Sequence, residues 1–81
     1  MMVILPAQIR AGRALLDWSI ADLSDASGVS VSSIQRIEKT PGECDHTDAL
    51  GNVALALSKS GVRMVKDMSS YGVMLDTRGR Q

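Results

Sequence analysis

The sequence has no phenylalanine, and Trp18 and Tyr71 are its only aromatic residues. A core in 81 residues must then be built from Leu, Ile, Val, Ala and Met. Apolar residues make up 44% of the chain, enough for a packed core and too many for a disordered chain. Cys44 is alone, which excludes an intramolecular disulfide. His46 is the only histidine, so Cys44 and His46 cannot complete a four-ligand zinc site within one chain; no metal and no other cofactor is expected. His46 has no recognisable nucleophile or carboxylate arrangement around it, and no glycine loop is suited to cradling phosphate, so no enzyme is expected. No apolar run approaches the ~20 residues of a membrane span. The opening Met1-Met2-Val3-Ile4-Leu5 is too short for a signal-peptide core and has no basic residues before it. A cytoplasmic protein without a membrane partner is the expectation.

Charge of either sign is not in excess: nine Lys and Arg stand against nine Asp and Glu. A neutral chain argues against purely electrostatic capture of nucleic acid. The distribution is uneven. Residues 1–40 are balanced, with Arg10, Arg13, Arg36 and Lys39 as the basic groups. Residues 41–60 set Lys59 against Glu43, Asp45 and Asp48, and residues 61–81 set Arg63, Lys66, Arg78 and Arg80 against Asp67 and Asp76.

Four helices are predicted. Pro6 suits a first helical turn, and Ile9, Arg13 and Leu16 follow a helical period, giving a first helix to about Leu16. Asp17-Trp18 connects it to a second, for which Ser19 is the N-cap, with Asp22 placed favourably toward the positive end of the dipole. Ile20, Leu23 and Ser27 share one face of this helix, which ends at Gly28. Gly28-Val29-Ser30 is a short joint: glycine supplies a positive φ after one helix and Ser30 caps the next. Two helices joined so tightly must cross steeply, the geometry of a helix-turn-helix. The third helix, Val31 to about Lys39, has Ile34 and Ile37 on one side and Ser32, Gln35, Arg36 and Lys39 on the other. Pro41-Gly42 stops it, Thr40 to His46 reads as a loop, and Thr47 caps a fourth helix with Leu50, Val53, Ala54 and Leu57 as its core stripe. After Gly61 the period falls to about two. Val62-Arg63-Met64-Val65-Lys66 and Tyr71-Gly72-Val73-Met74-Leu75 read as strands of a hairpin. Residues 1–61 are therefore expected to form the helical domain, and residues 62–81 a hairpin appendage with a frayed tail.

In order along the chain, Arg13, Trp18-Ser19, Leu23, Gly28-Val29-Ser30 and Ile37-Glu38 make a pattern that resembles the XRE family of lambda-repressor-like and Cro-like regulators. The likeness is greatest to short bacterial and prophage members that end in a β-hairpin. It implies a mainly α fold, about four helices with a C-terminal hairpin, and a DNA-binding transcriptional regulator whose third helix enters the major groove. Carried over by position, Ser30, Val31, Ser32, Gln35 and Arg36 fall on DNA-facing sites. Lys39 would contact phosphate or complement the helix dipole. The resemblance also implies an ion pair between Arg13 and Glu38. Two departures lower the expected DNA affinity: Ile20 stands where many relatives have a phosphate-holding Gln, and the loop after the third helix is acidic.

The hairpin has two readings, a cover for the base of the fourth helix or a homodimer interface in which strands of two copies make one sheet. Apolar residues on both faces favour the dimer. The function has two readings as well. The first is a homodimeric sequence-specific regulator, a repressor, acting on double-stranded DNA. The second is a protein-interaction module, such as a helix-turn-helix antitoxin or phage accessory factor, which suits the neutral charge and acidic loop.

Overall fold

The computed structural model describes residues 4–39 and 48–77. Four helices, α1 (Pro6–Leu16), α2 (Ile20–Ser27), α3 (Val31–Lys39) and α4 (Asp48–Lys59), precede an antiparallel hairpin of β1 (Val62–Lys66) and β2 (Tyr71–Leu75). The expected loop from Thr40 to His46, its Pro41-Gly42 stop, Cys44, His46 and the Thr47 cap lie outside the described residues.

The helix ends follow from local chemistry. Leu16 ends α1 because Asp17 takes up a left-handed conformation at φ 58°, which Asp tolerates better than most side chains. Asp17 N–H then donates to Ala14 O at 3.1 Å and Trp18 N–H to Arg13 O at 2.9 Å, closing a Schellman-type cap. At the start of α2, Ser19 Oγ accepts Asp22 N–H at 3.0 Å and Asp22 Oδ2 accepts Ser19 N–H at 2.9 Å. This is a capping box with Asp in the third position. Gly28, at φ 74°, closes α2 on Ser24 O.

The core is aliphatic. Ile9, Leu23, Ile34, Val53 and Leu57 are fully buried, joined by Ile4, Leu16, Val29, Leu50, Ala56 and Val62. Every helix and β1 contributes to this cluster, and Trp18 packs half-buried against it. On α4 the stripe differs from expectation at one place: Ala56 is buried and Ala54 is only half-buried. Both small residues flank the Val53–Leu57 line, and tertiary packing decides which side is covered. Gly12 lets α1 come close: a Cβ there would lie 3.2 Å from Val62 Cγ1 and 3.4 Å from Leu57 Cδ1.

The hairpin register pairs Val62 with Leu75, Met64 with Val73 and Lys66 with Tyr71. Its inner face lies mainly on α1 and also meets α4. Val62 is buried and Met64, Val73 and Leu75 are half-buried, which leaves Val65 and Met74 as the exposed apolar residues of the two strands. One chain thus covers more of the hairpin than its apolar pattern suggests.

Gln8 makes the attachment. Its side chain is buried at 4% exposure. Nε2 donates to Val65 O at 3.1 Å and to Gly72 O at 2.8 Å, while Oε1 accepts Leu5 N–H at 2.9 Å. One amide therefore holds the α1 N-terminus and both strands. Among the described residues, every buried side-chain N or O atom has a hydrogen-bond partner.

Candidate nucleic-acid interface

The joint between α2 and α3 is built by three residues with separate tasks. Gly28 turns the chain, Val29 plugs into the core, and Ser30 starts α3. Val29 N–H donates to Ser27 Oγ at 3.1 Å, so the turn's backbone is satisfied locally. Ser30 Oγ accepts Ser33 N–H at 3.2 Å and donates to Ser33 Oγ at 2.9 Å. Ser32 Oγ stands 3.4 Å from the same oxygen. A cluster of three hydroxyls therefore marks the N-terminus of α3.

With about 100° per residue, Ser32, Gln35, Arg36 and Lys39 fall within an arc of ~100° on α3, and Ile34 and Ile37 lie opposite. Ile34 is fully buried and Ile37 half-buried. Ser30, Val31, Ser32, Gln35, Arg36 and Lys39 are all exposed. The six sequence-predicted residues thus lie along one element, with Val31 an exposed apolar residue near its start.

The far end of α3 is clamped to α1. Arg13 Nε donates to Glu38 Oε2 at 2.8 Å and Arg13 Nη2 to Glu38 Oε1 at 2.8 Å. This two-point fork fixes angle as well as distance. Glu38 keeps 5% of its side chain exposed and Arg13 19%. The hydrogen bond to Glu38, aided by its negative charge and opposed by burial, raises the Arg13 pKa from its ordinary value. The remaining Arg13 nitrogen, Nη1, donates to Trp18 O at 3.0 Å, tying the α1–α2 connection into the same joint.

Arg10, one turn earlier on α1, donates from Nη1 to the Glu38 carbonyl. That carbonyl belongs to the last turn of α3, where no intrahelical donor remains. Arg10 is exposed and also braces α3. Ile20, where many relatives have an amide, is half-buried and packed against the core. Its apolar side chain serves packing.

Four helices, a short α2–α3 joint closed by Gly28 and Ser30, and a terminal hairpin define a lambda-repressor-like helix-turn-helix fold, the architecture of DNA-binding regulators. Residues 9–40 match the family model described as Helix-turn-helix, and that segment is similar to the helix-turn-helix of XRE-family regulators. The match includes α2, the turn and α3, and ends before α4 and the hairpin. A search of curated proteins finds no match to the chain. Among the described residues, no helix is long and apolar enough to cross a membrane.

Proposed function

We propose that this DNA-binding regulator is a sequence-specific repressor that acts as a homodimer, with α3 of each copy in a major groove. The observation that carries the reading is the division of α3: one side is buried and clamped through Ile34 and Glu38, the other exposes Ser32, Gln35, Arg36 and Lys39, and Ser30 and Val31 are exposed at the N-terminal end. A rigidly held helix with a polar outer row suits base readout. Arg36 is suited to a two-point contact with guanine O6 and N7, Gln35 to adenine, Val31 to a thymine methyl and Ser32 to either strand's base edges. Lys39 serves phosphate or the dipole at the helix end. In this reading residues 1–61 read DNA and residues 62–81 pair two copies in the cytoplasm. Half-sites would lie about one turn apart, ~34 Å.

The test begins with selection of bound duplexes from a random library, followed by binding titrations on the selected site. Arg36→Ala is expected to cost about 1–3 kcal/mol and to relax preference at one base pair. Unchanged affinity and preference would reject the readout assignment. Log affinity should also fall steeply with log salt, by about 0.9 for each phosphate neutralised. A flat salt dependence, or no binding near ~50 mM salt, would favour the interaction-module reading.

A further inference from the structure

The hairpin has one face inside the fold and one outside. Residues paired across an antiparallel ladder share a face, and successive residues alternate. Val62, Met64, Val73 and Leu75 are therefore inner, and Arg63, Val65, Gly72 and Met74 are outer. The turn continues the ladder, since Asp67 N–H donates to Ser70 O at 2.9 Å, so alternation puts Asp67 on the outer face too. Val65 and Met74 are 38% and 53% exposed there.

Gly72 sits in the middle of this outer face, opposite Val65. A glycine inside a strand weakens it and marks a bulge, a bend or a place where another group approaches closely. Nothing among the described residues requires it. Among the described residues, the ladder runs through without a bulge, the positive-φ glycines are Gly28 and Gly61, and a Cβ at residue 72 would meet no atom within 4 Å. The missing side chain leaves a floor between Val65 and Met74.

The charges on this face are self-complementary. Arg63 and Asp67 lie two residues to either side of Val65. A two-fold axis lying between the two faces, parallel to the sheet and perpendicular to the strands at Val65, sets Arg63 of each copy against Asp67 of the other. The same operation lays the hairpin tip over the base of the second hairpin. The tip carries Met68, which is fully exposed. The base has a hollow of about 260 Å³ lined by Arg63, Met74, Leu75, Asp76 and Thr77.

We propose that the outer hairpin face, centred on Val65 and Gly72, docks a second copy of this chain face to face and antiparallel, with reciprocal Arg63–Asp67 pairs. The proposal rests on the homodimer reading and gives it a particular interface. A continuous sheet joined edge to edge would use backbone groups and be indifferent to the side chain at position 72. Two exposed apolar side chains and two reciprocal charge pairs make a modest contact, and the expected dissociation constant is on the order of micromolar.

Sedimentation equilibrium of the full chain over roughly 10–500 μM tests it, that range bracketing a micromolar constant. The wild type should dimerise. Gly72→Lys should raise the dimer dissociation constant by about tenfold or more, with the far-ultraviolet circular dichroism unchanged. Arg63→Asp and Asp67→Arg should each weaken self-association, and an equimolar mixture of the two should recover it to within about threefold of wild type. Only the mixed dimer restores opposite charges at both pairs, and a turn weakened by Asp67→Arg would not be cured by mixing. A dimer that tolerates Gly72→Lys and gains nothing from mixing would overturn this interface and leave the homodimer reading standing. A wild type that stays monomeric throughout the range would overturn both.

Discussion

Helix α1 holds its two neighbours in different ways. Toward α3 it offers charge: Arg13 forks onto the Glu38 carboxylate and Arg10 donates to the Glu38 carbonyl. Toward the hairpin it offers a neutral amide, with Gln8 donating to Val65 O and Gly72 O. The charged joint is directional, and its strength depends on both partners because either one alone is left with an unbalanced, poorly hydrated charge. The amide joint costs less to bury and carries less energy. The difference suits the elements held. In the proposed reading α3 presents its outer row at a set angle, whereas the hairpin needs only a fixed seat. The seat is shared by both strands, because alternation of the ladder between the Asp67–Ser70 and Gly61–Asp76 bonds makes residues 65 and 72 a hydrogen-bonded pair. Gln8 therefore adds to carbonyls already engaged.

The contrast can be broken from either side. Glu38→Ala should have the largest effect, a loss of about 3 kcal/mol in urea unfolding, at the low end for a buried pair because Arg13 keeps some exposure to water. A loss under about 1 kcal/mol would mean that the pair acts as a surface bridge. Gln8→Glu puts charge where the fold uses none, facing two carbonyl oxygens. It should cost about 2 kcal/mol at neutral pH. The variant's carboxyl would titrate above its unfolded value, so the penalty should shrink as pH falls through that raised pKa. A pH-independent penalty would show that lost hydrogen bonds, and not charge, are responsible. Gln8→Ala should cost about 1 kcal/mol, since the strand carbonyls keep their ladder partners. Hydrogen exchange should show the hairpin amides opening more than those of α3.

The smallest effect concerns an exposed carboxylate outside both joints. The Asp67 pKa is lowered, chiefly by the Ser69 N–H it accepts at 2.9 Å; desolvation opposes this, and Ser70 and Lys66 add to the lowering. Its contribution is present above the ordinary carboxylate pKa and is lost as pH falls through the lower folded value. Thermal melts of wild type and Asp67→Asn should differ slightly near neutral pH and converge in acid. Divergence in acid would refute that sign.

Features decided within a few residues were legible in the sequence. Ser19, Asp22, Gly28 and Ser30 act on their own backbone or on residues three or four away, and they set the helix ends where expected. The hairpin followed from its period of two, with both strands at the expected residues. The outer row of α3 followed from its helical period. Contacts between distant residues were not legible from pattern alone. Arg13 and Glu38 are 25 positions apart, and the family resemblance, not spacing, paired them. Gln8 lies 57 and 64 positions from its strand partners, and nothing in a lone amide points there. Its bond to Leu5 N–H is the one local sign, an amide three residues into a helix reaching back to the residue before it. How much of the hairpin one chain covers depended on where α1 lies, which no strand pattern contains.

The scarcity of aromatics gives the molecule two separate optical reporters. Trp18 sits beside the charged joint, where Arg13 holds its carbonyl oxygen. Tyr71 sits at the start of β2, with the Lys66 ammonium 5.3 Å from its ring centre. Indole emission therefore follows the helices and phenol absorbance follows the hairpin, with no label added. Superposition of the two unfolding curves would mean one cooperative unit. Their separation would give the stability of the hairpin's seat on α1 directly, in the unmodified chain.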